Sequence, residues 1–351
     1  MHRDVLSFVV VTKTDFVITT SHDGHLKFWK KQEQVLEFVK HFRAHLGPIQ
    51  AVAVSFDGLL LATISSDKSI KVFDVVNFDM INMIKLDYIP LHACWIFSKE
   101  QARPLLAVSD QGSNLIRIYD GKAQSAEPLE TLDSIHGAPV RLMAFHPHAN
   151  CVVSIDMKGM VEYWNADTPH DLPSAPYISW EYKSDTSLYE FVKAKVVPSA
   201  LVISPDGSMF AAYGIQDRKV RVFRFRTGKL IRAYDESLVI AEQTQQQGPE
   251  RLQLESMEFG RRLALEKELT DAQQGQTMNL AFDESSHFLL YPTILGVKVV
   301  SIQTNKVARL IGKGENVRIL NIALFQSSSV KKASVSLVCA IRIVFIVLTL
   351  Q

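Results

Sequence analysis

The stretch FHPHANC places His146, His148 and Cys151 within six residues, and imidazole and thiolate are ligands that zinc takes. A tetrahedral site needs a fourth donor, and none stands nearby in the sequence, so the expectation is an exposed polar turn without a metal. A second candidate is RKVRVFRFR (218–226), where Arg221, Arg224 and Arg226 interleave with Phe223 and Phe225. Guanidinium groups beside aromatic rings suit single-stranded nucleic acid, through phosphate contacts and base stacking. The competing expectation is a strand whose aromatic residues turn into a core by two-residue alternation. Formal net charge is only +1, without the basic footprint of a nucleic-acid-binding domain, so RNA contact is the secondary expectation. No glycine-rich phosphate loop, GxSxG elbow or HExxH motif occurs, and no catalytic residue or cofactor is expected.

The elements carrying these residues repeat. SHDGHLKFWK (21–30), SSDKSIKVFD (65–74), SDQGSNLIRIYD (109–120), SIDMKGMVEYWN (154–165) and GIQDRKVRVFRF (214–225) share one build, a polar tight turn running into a strand with an aromatic anchor. The anchors Trp29, Phe73, Tyr119, Trp164 and Phe223 stand 44, 46, 45 and 59 residues apart. The longest gap is one period plus an insertion at 168–191, and a sixth unit (278–301) ends near Val300 after a longer insertion at about 236–272. Six residues before the anchor stands Asp23, Asp67 or Asp217; Asp156 lies two residues further upstream in its unit, and Ser113 takes the place in the third. An aspartate suits a tight turn because its carboxylate accepts nearby backbone N–H groups. A second turn also recurs, in VSFDGLLLA (54–62), FHPHANCVV (145–153), ISPDGSMFA (203–211) and FDESSHFLL (282–290). Periods in the mid-forties with evenly spaced turns predict an all-β array of four-stranded units.

These residues resemble WD-repeat β-propellers, with the His-containing AHLGPI (44–49) and IHGAPV (135–140) and the endings FD (73–74) and YD (119–120). The resemblance implies that His45 bonds toward the Asp67 turn and that His45 and His136 are structural. Longer stretches, among them KVFDVVNFDMINMIKL (71–86), WEYKSDTSLYEF (180–191), RKVRVFRFRTGKL (218–230) and MEFGRRLALEKEL (257–269), are similar to cyclophilin-type peptidyl-prolyl isomerases with an N-terminal WD-repeat domain. The likeness runs from about His2 to Gln326, and nothing after Gln326 resembles a cyclophilin domain. It implies a protein-interaction scaffold associated with spliceosomal components in the nucleus, with the cytosol as the alternative compartment, and no isomerase activity in this chain. An adaptor in another complex, a ubiquitin ligase receptor or an RNA-contacting propeller, is the alternative.

The expected fold is all-β: a WD40 β-propeller over 1–326, seven-bladed in type but incomplete, with six blades and part of a seventh. The 236–272 insertion is expected to be helical after the polar EQTQQQGP linker, with Glu258–Arg262 and Arg262–Glu266 pairs four residues apart. Leu254, Met257, Ala264, Leu265 and Leu269 share one arc, while Leu252, Phe259 and Leu263 share the other and are the expected partner-binding face. The tail 327–351 contains ASVSLVCAIRIVFIVLTL, 18 residues that barely reach the length of a membrane span. Arg342 near its centre would cost about 2.5–3.5 kcal/mol there, so a membrane anchor is not expected. Three cysteines (Cys94, Cys151, Cys339) are too few for a disulfide framework and suit a reducing compartment. The N-terminal stretch lacks the long apolar run of a signal peptide.

Overall fold

The aromatic anchors lie on the third strands of successive antiparallel meanders: His25–Lys31, Ser69–Asp74, Ile116–Asp120, Val161–Asn165 and Lys219–Arg224. The structure, a computed structural model, describes residues 2–32, 35–96, 103–123, 125–271, 278–315 and 319–325, with no side-chain placement for 268–271. Cys339 and the tail expectations therefore lie outside the described residues.

Among the described residues six sheets form a β-propeller: blade 1 (6–43), blade 2 (49–85), blade 3 (90–132), blade 4 (140–165), blade 5 (198–235) and blade 6 (281–311). Strand order within every blade is the sequence order, and blade 4 has three described strands where the others have four. From blade 1 to blade 6, the first strand of each blade lies against the first strand of the next. Burial follows from that stacking. Second strands such as Leu60–Ser65 and Cys151–Asp156 are buried along their whole length, because both faces meet a neighbouring blade. Fourth strands such as Asp79–Lys85 are mostly exposed at the rim. Apolar cores accordingly lie between blades: Phe73 packs with Phe28 and Leu26 of blade 1, and Phe223 packs with Tyr163 and Val153 of blade 4.

Turn chemistry sets the blade junctions. Gly24 has φ +80, and a Cβ there would fall 2.2 Å from the His45 carbonyl oxygen, so the SHDG turn needs glycine in this left-handed conformation. The close approach lets the His45 N–H donate to the Gly24 carbonyl at 3.0 Å, tying blade 1 to the entry of blade 2.

Between blades 4 and 5 the chain forms a short helix, α1 (Glu190–Ala194), and Ile178, Leu188 and Phe191 enter the core shared by those blades. Between blades 5 and 6 it forms α2 (Leu238–Gln247) and α3 (Ser256–Asp271). Ala241, Leu254 and Phe259 pack with Ile294 and Leu295 of blade 6. Beyond blade 6, residues 319–325 run between the two ends of the array. The Asn279 side chain exchanges two 2.7 Å hydrogen bonds with the Ile322 backbone, and Asn321 Nδ2 donates to the Ser7 carbonyl at 3.1 Å. Ala323 packs with Val9 and Val17, and Lys31 Nζ lies 3.2 Å over the Phe325 ring.

Candidate functional site

The residue types most suggestive of catalysis meet in blade 4. Trp164 Nε1 donates to Ser154 Oγ at 3.1 Å, His136 Nε2 stands 2.7 Å from the same oxygen, and His136 Nδ1 lies 3.5 Å from Asp156 Oδ2. Serine, histidine and aspartate in that order are the components of a nucleophile and its base. Here the hydroxyl is already an acceptor for the indole, and Ser154 and Trp164 are 0% and 1% exposed. No substrate carbonyl can approach Ser154 Oγ, so the chain of bonds serves packing. It joins the loop entering the blade to the turn between its second and third strands.

Two further blades vary this arrangement. In blade 2, His45 Nδ1 lies 3.1 Å from Asp67 Oδ2 and 3.0 Å from Ser69 Oγ, with Nε2 at 2.8 Å from Thr63 Oγ1. Burial is the main cause that lowers the His45 pKa, against the pull of Asp67, so the ring stays neutral near pH 7. Burial alone would raise the Asp67 carboxyl; bonds from Ser69 and Leu46 N–H and the neighbouring His45 instead hold it below the usual range. Phe73 occupies the tryptophan position and has no N–H to offer. In blade 1, Trp29 Nε1 donates to Thr19 Oγ1 at 2.8 Å, and His2 Nε2 reaches that oxygen at 2.8 Å. His2 Nδ1 meets Ser21 Oγ at 2.8 Å, and Ser21 donates to Asp23. Sequence reasoning missed His2; the available signal was its place before the first strand, where the later units carry His45 and His136.

In blade 3 the turn carboxylate is Asp110 rather than a residue at the Ser113 position. It accepts from Gly112 N and Ser113 Oγ at 2.8 Å each and from Arg117 Nη1 at 3.2 Å. Tyr119 meets Tyr88 at 3.1 Å between the hydroxyls. In blade 5, Asp217 accepts from Lys219 N at 3.2 Å and pairs with Arg221.

His146, His148 and Cys151 do not converge. His146 Nε2 stands 2.8 Å from the Gly207 carbonyl, its Nδ1 accepts from Ala149 N at 3.0 Å, and His148 Nε2 lies 3.3 Å from the Pro205 carbonyl. Cys151 points into the core between blades 4 and 5, where burial pushes its thiol up to about 12.

The arginine stripe divides by strand parity. Arg221 is 3% exposed, on the same face as Phe223 and Phe225, with its guanidinium paired to Asp217, 3.8 Å from Glu190 and 5.0 Å over the Phe191 ring. The expected RNA contact at Arg221 is therefore corrected: alternate strand residues share a face, and this face meets blade 4 and α1. Arg224 and Arg226 fall on the other parity and are exposed.

The partner-binding face expected on α3 is likewise corrected. Phe259 is 9% exposed and Leu263 half-buried, both packed against Ile294, Leu295 and Leu310, and Leu252 is also half-buried. Met257, at 81%, and Leu265, at 39%, face solvent instead. Arg262, which sequence reasoning placed in ion pairs four residues apart along the helix, is 2% exposed. It pairs with Glu258 at 2.8 Å and donates to the carbonyls of Ile294, Leu295, Gly312, Lys313 and Glu315. Glu266 pairs with Arg218 of blade 5 at 2.8 Å. These bonds seat α3 on the propeller with its Phe259 side inward.

The model "WD domain, G-beta repeat" matches residues 36–74. Peptidyl-prolyl cis-trans isomerase cyp15 of Rhizopus delemar is 51% identical over 333 residues, 95% of this chain and 52% of that protein. Peptidylprolyl isomerase domain and WD repeat-containing protein 1 is 50% identical over 331 residues in both Mus musculus and Homo sapiens, covering 94% of this chain and 50% of each relative. The chain is a WD-repeat propeller of this family. It spans about half the length of the curated relatives it matches.

The matched WD repeat is offset from the blade. Its 39 residues cover the rim strand Leu36–Arg43 of blade 1 and the first three strands of blade 2, ending at Asp74. His45 and Asp67 both lie inside it, so one repeat holds the bond that ties the entry loop of blade 2 to the turn between its second and third strands. Arg224, Arg226, Met257 and Leu265 are exposed on the surface.

Proposed function

We propose that this chain is a protein-interaction scaffold, serving spliceosomal components in the nucleus. The observation that carries the reading is that the Ser–His–Asp chain of blade 4, Ser154, His136 and Asp156, is sealed in a blade core, while chemically varied side chains cover the exterior. Function then resides in surfaces rather than in a reactive group, although the fold alone does not name a partner. We assign the isomerase activity in the relatives' names to the half of those proteins outside the matched span, and no prolyl-peptide turnover to this chain. The same reading takes 319–325 as the opening strand of a seventh blade position, since it bonds to Asn279, just before blade 6, and to Ser7 of blade 1. The insertion carrying α2 and α3 is a docking element presenting Met257 and Leu265.

The test is affinity capture with the full chain from nuclear extract, followed by mass spectrometry, beside a coupled assay of proline isomerisation. Recovery of splicing proteins, reduced by Met257→Glu with Leu265→Glu, and no turnover are expected. Isomerisation above the uncatalysed rate, or capture without splicing components, would reject the assignment.

A further inference from the structure

A cleft of about 740 Å3 opens between blades 4, 5 and 6, on the side where first strands turn into second strands and third strands into fourth. That volume lies within the roughly 300–1,000 Å3 typical of ligand sites and suits a short peptide segment. The turn carrying Gly207 builds its floor. With φ +72 and only 2.5 Å between a would-be Cβ and His146 Cε1, glycine lets the blade 5 turn press against the blade 4 histidine. Asp206 N donates to Ser286 Oγ at 3.2 Å, joining the same turn to blade 6. Three blades therefore hold the cleft in shape.

Its charge is one-sided. Arg224, Arg226 and Arg232 line it, together with His148 and His287. The single acidic lining residue, Asp206, is engaged by its own turn, accepting from Ser204 Oγ at 2.6 Å and Ser208 Oγ at 2.7 Å. Among the described residues none of the three guanidinium groups has an ion-pair partner, and Arg232 Nε is buried without a hydrogen-bond partner. Apolar or amphipathic side chains, Tyr177, Met209 and Ile231, line the same cleft.

We propose that this cleft binds an extended acidic peptide whose carboxylates alternate with apolar side chains. Guanidinium forks match carboxylates geometrically. Here they are carried by a strand end, a turn and the neighbouring strand, an arrangement that fits several carboxylates along a chain. The apolar contacts fit side chains of alternate residues. RNA is the weaker match, since a backbone-tracking site needs a continuous basic groove and the chain's net charge is only +1. The inference rests on the scaffold reading and supplies a partner class for it.

Fluorescence anisotropy with the full chain tests it, using a fluorescein-labelled octapeptide of alternating Glu and Leu. A Lys–Leu octapeptide, a phosphoserine peptide and an oligouridylate serve as the other probes. The Glu–Leu peptide is expected to bind best and to lose about tenfold or more in affinity on Arg224→Glu with Arg226→Glu, both exposed positions. Lys85→Glu, at the rim of blade 2, is expected to leave binding unchanged, with circular dichroism confirming that all variants are folded. Equal binding to the double variant, no binding of the Glu–Leu peptide, or tighter binding of the phosphoserine peptide or oligouridylate would overturn the proposal. If that happens while the chain still captures splicing proteins, the cleft assignment falls and the scaffold reading stands.

Discussion

Asn279 and Ile322 bind each other as two strand residues would, although only one contributes its backbone. The Asn279 amide donates through Nδ2 to the Ile322 carbonyl, and its Oδ1 accepts the Ile322 N–H, both at 2.7 Å. A side chain thereby ties residues 319–325 to the entry of blade 6, while Asn321 and Ala323 tie them to blade 1. Asn279→Leu removes both bonds and is expected to cost about 1–3 kcal/mol. Asn279→Asp keeps the acceptor for the Ile322 N–H but sets a carboxylate oxygen against the Ile322 carbonyl, so its advantage over leucine is confined to the amide bond. Hydrogen exchange at the Ile322 amide should quicken in the Leu variant and stay nearer to native in the Asp variant. Identical exchange in both would show that Asn279 does not hold the junction.

The blade 4 network predicts a graded response. His136→Ala leaves Ser154 and Asp156 buried without their imidazole, at a cost of about 2–3 kcal/mol. Trp164→Phe keeps an aromatic ring but removes the indole N–H and the volume of the second ring, at a cost of about 1–3 kcal/mol. Urea denaturation measures both. A Trp164→Phe effect as large as that of His136→Ala would mean that packing, rather than the hydrogen-bonded chain, dominates there.

Acid should weaken the fold well above the carboxylate range. His2 and His92 are each lowered to about 4, chiefly by burial, and burial also lowers His45 and His146. Unfolded histidines titrate near 6.5, so between that value and about 4 the unfolded chain binds protons that the native chain does not. Stability contributed by these groups is therefore present above pH 6.5 and lost as pH falls through the lowered values. Calorimetry should record a transition temperature that drops by several degrees from pH 7 to pH 5. A flat profile over that interval would contradict the neutral, buried state of these rings.

Arg262 is expected to be the most sensitive position in the α2–α3 segment. Its guanidinium fork serves carbonyls from two separate loops, Ile294–Leu295 and 312–315, and a lysine ammonium has fewer donors in a different geometry. Arg262→Lys should not restore native behaviour, and Arg262→Ala should cost about 3–5 kcal/mol, because the Glu258 charge and several carbonyls lose their partner together. Limited proteolysis would then cut within 238–271 sooner than in the native chain. Unchanged cleavage in the alanine variant would count against this role.

The spacing of Trp29, Phe73, Tyr119, Trp164 and Phe223 was enough to specify five of the six described blades, because each repeat must bury the same strand against the same kind of neighbour. Two-residue alternation also carried the separation of Arg221 from Arg224 and Arg226, once the face holding Phe223 and Phe225 is known to meet blade 4. Other features had no local signature. Periodicity marks two apolar arcs on α3 equally well, and only contact with Ile294 and Leu295 selects the Phe259 side for burial. Asp110 replaces the expected turn position because the loop of blade 3 closes differently around Gly112 and Ser113. His2 joins Thr19 and Ser21, and the basic cleft gathers residues from 146 to 303, only when the strands are stacked in space. Local pattern determines which residues can form a strand or a turn; the ring determines which of them share an environment, because contacts between blades join residues far apart along the chain.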